Sequence, residues 1–266
     1  MAKRGDVRKA SPKTRKKVET KRATKAGTVA KPKTKTAARA GAPAASAQKR
    51  ATPQLLVRLA PQVVLENWSN GHLGAVVDVY PLDLGQPSDD AKQRAFGLKE
   101  GLGLGPLAGD KPKDQEIARL VRLLARQGLI EYPLAQDGRD LVVVEPQMAD
   151  YRPEAAKLES NDMVVLSRFA YLRRRGSEMV LESPRAGALI RIIDPAIAVM
   201  LIMLATPQKV AALRKLPGFP GDELLGLMIS CAILFKLEKA GDDGRRPSEG
   251  DANLVMWDFH DLLFHA

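Results

Sequence analysis

A helix that runs straight into a β-hairpin leaves few folds open, and this chain carries that pattern twice. In residues 113–127, Ile117, Leu120, Val121 and Leu124 fall at i, i+3, i+4 and i+7 and make one apolar stripe. Gly128 closes the helix, a residue that tolerates the left-handed conformation found at helix ends. LIEYPL, the turn AQDGRD and LVVVEP follow, which read as strand, Asp-Gly turn and strand. The order returns further on. A helix from Glu223 to about Ala232 leads into a strand at Ile233–Leu237, a polar loop KAGDDGRRPSEGD and a return strand at Leu254–Trp257. The fold class expected is α+β: tandem winged-helix-like modules over residues 54–150 and 151–266, preceded by a disordered basic tail over residues 1–53.

Between these anchors the reading is coarser. Leu55–Ala60 and Ala75–Leu82 read as strands from their β-branched content and alternation. Ser88 or Asp89 caps a helix over Ala91–Leu98. Five glycines in residues 97–109 lack the order of a phosphate-binding fingerprint, and Pro106 interrupts them, so the stretch reads as a loop. Residues 148–160 are polar and read as a linker. VVLSRFAYLRR and EMVLESP flank the turn Arg175-Gly176-Ser177, and ALIRII is a further strand. Asp194-Pro195 opens a helix whose residues Ile197–Leu204 are apolar nearly all round, which predicts a buried core helix. Thr206-Pro207 opens a second helix ending near Leu216, and Gly221-Asp222 opens the third.

Charge separates the tail from the rest. Of the 42 Lys and Arg and 31 Asp and Glu, residues 1–53 hold 17 and two, leaving 25 and 29 for the remainder. The net of +11 is thus a property of the tail, and the folded part is mildly acidic. With Val18 and Val29 as its larger apolar groups, the tail cannot bury enough surface to offset the entropy of ordering. Its chemistry suits nucleic acid or another polyanion, without aromatic residues for base stacking. The single cysteine, Cys231, excludes an internal disulfide and reads as a buried structural thiol. No apolar run approaches the ~20 residues of a membrane span, and no signal peptide is evident, so a cytoplasmic protein with no membrane association is expected.

Two uses of such modules compete. DNA reading calls for Arg, Lys, Asn or Gln on the third helix. DELLGLMISCAI has two acids and no basic residue there, so a nucleic-acid-associated winged-helix protein with a histone-like tail is the alternative reading. Peptide capture by strand addition tolerates an apolar third helix and uses the wing edge beside it. The residues expected at that edge are Leu234, Lys236 and Leu237, with Met256 on the return strand. Catalytic and metal sites are not assigned. His260 and His265 lie five apart, not on one helix face, and with Asp258 and Asp261 they lack a third nitrogen or sulfur ligand. Trp257, Phe259, Leu262, Leu263 and Phe264 form a dense apolar end suited to a partner surface.

SRFAYLRRRGSEMVLESPRAGALIRI, then PAIAVMLIMLA, then MWDFHDLLFH resembles the SagB-type (SagB/ThcOx) peptide dehydrogenases, over roughly residues 55–266 and most specifically in Leu166–Ile192 and Trp257–His265. The resemblance implies a peptide-clamp region of an enzyme that matures ribosomal peptides by oxidising thiazoline or oxazoline rings. It implies FMN in a nitroreductase-fold domain that follows an arginine-serine-arginine stretch. Since Ala266 is the last residue here, the expectation is a clamp without that domain, holding no cofactor itself. The implied partners are a ribosomal precursor peptide and either a separate flavin subunit or a cyclodehydratase complex.

Overall fold

The computed structural model describes residues 51–149 and 151–237. The basic tail up to residue 50, the expected return strand at Leu254–Trp257, Met256 and the apolar end lie outside the described residues. The order of elements begins with β1 (Gln54–Leu59), a meander of β2 (Val63–Asn67), β3 (Leu73–Val77) and β4 (Tyr80–Asp83), and helix α1 (Asp89–Gly97). A two-residue strand β5 (Leu102–Gly103), a 3-10 turn at Gly105–Ala108, helix α2 (Pro112–Arg126) and the hairpin β6 (Ile130–Gln136) and β7 (Arg139–Pro146) complete the first half. The second half starts over. It runs through β8 (Met163–Leu166), a meander of β9 (Tyr171–Arg175), β10 (Glu178–Glu182) and β11 (Ala188–Ile192), and α3 (Ala196–Met203). Then come β12 (Gln208–Lys209), α4 (Val210–Leu213), α5 (Asp222–Ser230) and β13 (Leu234–Lys236).

Among the described residues the second half repeats the order of the first up to the strand after its last helix. β1 starts at 54 and β8 at 163, 109 apart; β6 starts at 130 and β13 at 234, 104 apart. β1 lies antiparallel between β5 and β6, and β8 lies antiparallel between β12 and β13. The registers agree: Leu59 faces Ile130 as Leu166 faces Leu234, and Val57 faces Leu102 as Val164 faces Gln208. Backbone bonds outside the ladders repeat as well. Leu59 donates to Leu98 O (3.0 Å) and Leu166 to Leu204 O (2.9 Å), while Ala60 donates to Leu129 O (2.9 Å) and Ser167 to Ile233 O (2.8 Å). α2 followed by β6 and α5 followed by β13 repeat the helix-to-strand order; the return strand of the second expected hairpin lies outside the described residues.

One sheet crosses from the first half into the second, in the order β5-β1-β6-β7-β11-β10-β9. The boundary expected between residues 150 and 151 thus falls between β7 and a strand that pairs with it. The other two sheets are β12-β8-β13 and β2-β3-β4.

Local chemistry explains the elements that followed expectation. Ser88 caps α1 by accepting from Ala91 N–H, and Asp137 (φ 51°) and Gly138 (φ 73°) close the β6–β7 hairpin with two left-handed residues. The stripe Ile117, Leu120, Val121 and Leu124 is buried. Other expectations need correction. Residues 75–82 are two strands, folded at Asp78 (φ 55°), whose short polar side chain tolerates that conformation. VVLSRFAYLRR is split at Ser167–Ala170, where Ala170 N–H bonds Ser167 O, and its halves enter different sheets. The helix after Thr206-Pro207 shrinks to α4, because Gln208–Lys209 pair with β8 instead. The all-apolar α3 buries Ile197, Met200 and Leu201 but leaves Val199 61% and Ile202 76% exposed. The segment 148–160 is not free: Gly226 of α5 packs directly on its backbone at Ala155 and Ala156.

Candidate functional site

One strand of the first half is added to the meander of the second. β7 lies antiparallel along β11, from Pro146 opposite Ala188 to Val142 opposite Ile192. Charges fasten this junction. The buried Glu131 carboxylate accepts from Arg58 (2.6 Å) of β1 and Arg191 (2.9 Å) of β11. Arg58 reaches on to Asp140 (2.8 Å), and Glu145 of β7 takes a two-pronged contact from Arg175 (2.7 and 2.8 Å). Two carboxylates hold the Arg58 guanidinium proton more firmly than usual, against the opposing effect of burial.

β4 is the counterpart of β11 in the first half, and among the described residues it pairs with β3 alone. Asp83 at its end accepts from Gly85 N–H (2.7 Å) and contacts His72 Nδ1 (2.9 Å), and these bonds hold its carboxyl below the ordinary range. Beside this edge, Leu84 and Pro87 face Leu120, Leu123 and Arg119 of α2 across a cleft of about 170 Å³. Ser88 ties the cleft wall to α2 through Glu116, whose carboxylate accepts the Ser88 N–H (2.8 Å) and hydroxyl (2.5 Å). An extended chain laid on β4 would meet backbone groups on one side and this cleft on the other.

The residues expected at the second wing sit differently. Leu234 is fully buried, and Leu237 donates its N–H inward to Met163 O (2.9 Å). Lys236 is exposed and bonded to Asp162 (2.8 Å) and to Lys157 O (2.9 Å). The ammonium of Lys236 and the N–H of Glu159 keep Asp162 below the usual carboxylate range. Residues 151–160 run along α5 here, with the Tyr151 hydroxyl on Cys231 Sγ (2.9 Å), Ala156 on Gly226, and Arg214 holding Ser160 Oγ (2.6 Å). The groove expected between β13 and α5 carries the chain's own segment. Burial pushes the Cys231 thiol up to about 11 and the Tyr151 hydroxyl well above its ordinary value, so both stay neutral.

Residues 164–266 match the family model of the cyanobactin oxidase ThcOx. Over that segment the chain is similar to the ThcOx family. The match opens in β8, the strand that starts the second half, so the ThcOx-related segment coincides with one repeat unit from its first strand onward. The first half, which the resemblance was expected to include, lies outside the ThcOx match. No curated protein matches the chain. A Cβ at Gly101 would come 3.2 Å from Leu56 Cδ1 and one at Gly109 would strike the Asp114 carboxylate, so these two glycines serve close packing. Among the described residues no three His, Cys, Asp or Glu side chains are placed to hold a metal ion, and no helix is long and apolar enough to cross a membrane.

Sequence reasoning missed the edge at β4 because the strand before it, β2, was not recognised and β4 was merged with β3. The dipeptide Val76–Val77 followed by Asp78 carried the turn signal. Gly226, alone inside an otherwise apolar helix, was the signal that another backbone approaches α5.

Proposed function

We propose that residues 54–266 form a tandem peptide clamp of winged-helix-like modules that presents a ribosomal precursor peptide to a SagB-type azoline dehydrogenase. The observation that carries the reading is the chain's own precedent: β7 adds as a strand to β11, while the same edge of the first unit, β4, has no second strand among the described residues. A peptide adding there gains backbone hydrogen bonds from β4 and seats alternate side chains against Leu84, Leu120 and Leu123. The character of α5 supports peptide over DNA. Its first turn holds Asp222 and Glu223, and residues 151–160 cover its face. Leu234, Lys236 and Leu237 belong in this reading to β13 of the second unit and the residue after it, beside the channel that residues 151–160 already occupy. Ring oxidation falls to FMN held outside residues 51–237, in a further domain or a partner subunit.

The test is fluorescence anisotropy with a labelled azoline-bearing precursor peptide and with the same peptide N-methylated at alternate residues. Each lost backbone bond removes about 0.5–1.5 kcal/mol, so losing two or three weakens binding about fivefold or more. Equal affinity for both peptides contradicts strand addition.

A further inference from the structure

The doubled unit places a second groove where the chain itself shows what fits. On the second unit, residues 151–160 lie in a channel walled by α4 (Arg214), α5 (Gly226, Ser230, Cys231) and β13 (Lys236). The backbone bonds from Leu129 N–H to Leu124 O and from Ile233 N–H to Met228 O fix the correspondence of the two helix ends (129 to 233 and 124 to 228, each 104 apart). Gly226 and Ser230 then correspond to Arg122 and Arg126 of α2, Lys236 corresponds to Tyr132, and α4 corresponds to the 3-10 turn at Gly105–Ala108. These first-unit counterparts line one cleft of about 210 Å³, with Leu107, Val121 and Ala125 as its floor and Arg152 at its rim.

The wall that differs tells what the cleft takes. Where the second unit has a bare glycine and a serine, the first has two arginines, and Arg152 adds a third. All three are exposed, and none makes an ion pair among the described residues. The surrounding cleft is apolar, with buried Tyr132 at its back. Residues 1–50, rich in Lys and Arg, have the wrong sign for it.

We infer that the cleft between the 3-10 turn, α2 and β6 docks an acidic, partly apolar peptide segment, lying along α2 as residues 151–160 lie along α5. The inference rests on the peptide-clamp reading and names the chemistry of its second contact: carboxylates on Arg122, Arg126 and Arg152, with small apolar side chains on Val121 and Ala125. Guanidinium forks suit carboxylates, and the exposed rim makes the contact salt-dependent.

The experiment uses the full chain and a fluorescent synthetic peptide of Glu, Ala and Leu, with its Glu→Gln counterpart as control. The native chain binds the Glu peptide and not the Gln peptide, and the double variant R122E/R126E weakens binding about tenfold or more. Both substituted side chains are exposed, and the basic N-terminal residues are identical in the two proteins, so a difference reports the cleft. Equal binding by R122E/R126E assigns the peptide to the N-terminal segment and overturns the inference; so does absence of binding by the native chain. N-methylation at alternate residues separates the two sites. A methylated Glu peptide that still binds, and still needs Arg122 and Arg126, leaves the cleft standing while strand addition at β4 falls.

Discussion

Glu131 is the residue on which the junction of the two halves turns. It is buried, it touches Arg58 and Arg191, and removing it leaves two guanidinium groups without their shared carboxylate. Glu131→Ala should destabilise the chain by about 1–3 kcal/mol, measured by urea unfolding, because Arg58 keeps Asp140 and Arg191 keeps Glu145 and Glu178 while both lose their charge-assisted bonds to the buried carboxylate. Cys231 gives a pH signature. Its folded value of about 11 lies above the ordinary 9.0, so the neutral thiol stabilises the native state fully below about pH 9, and that contribution disappears as pH rises toward 11. Thermal unfolding of Cys231→Ala should therefore lose the part of the alkaline slope between those values that the native chain shows. Gly226 and Ala232 act through the backbone. A Cβ at Gly226 would sit 2.5 Å from Ala156 O, so Gly226→Ala should loosen residues 151–158 and speed alkylation of Cys231 at neutral pH. Ala232 holds φ 59° where the first unit has Gly128 at φ 68°, and Ala232→Gly should raise stability by about 1 kcal/mol.

At the scale of elements, strand protection should follow pairing. Amides of β7 and β11, interior in the seven-stranded sheet, should exchange slowly, while those of β4, an edge among the described residues, exchange fast in the absence of peptide. Comparable protection in both would argue that β4 is already covered. What the sequence disclosed of these elements follows from how local their signals are. The α2 stripe and the Asp137-Gly138 turn are written within a dozen residues, and both elements were legible with nearly their observed bounds. β5 and β12 are two residues long, and their partners β1 and β8 lie far away in sequence, so no period of side chains announces them. The same holds for the docking edge. Which strand neighbours β4, and which neighbours β11, is decided by tertiary pairing that hydrophobic alternation does not encode. Val199 and Ile202 show the converse case: an apolar helix read as core keeps one side exposed.

Seen as a whole, the molecule repeats one unit and uses the second strand of its first hairpin to extend the sheet of its second half. Strand capture is thus built into the way the halves join, and docking an external peptide asks for no new principle. The charge of the chain divides the same way: the basic excess sits in residues 1–53, and the remainder is mildly acidic. Deleting residues 1–50 should leave the unfolding midpoint of the remainder unchanged and abolish retention on heparin, a polyanion probe. The most direct measurement is hydrogen–deuterium exchange of the full chain with and without an azoline-bearing precursor peptide. New protection concentrated in Tyr80–Asp83 and in Glu116–Leu123 of α2 is the expected result. A peptide that binds while leaving both segments unchanged would contradict docking on the β4 edge.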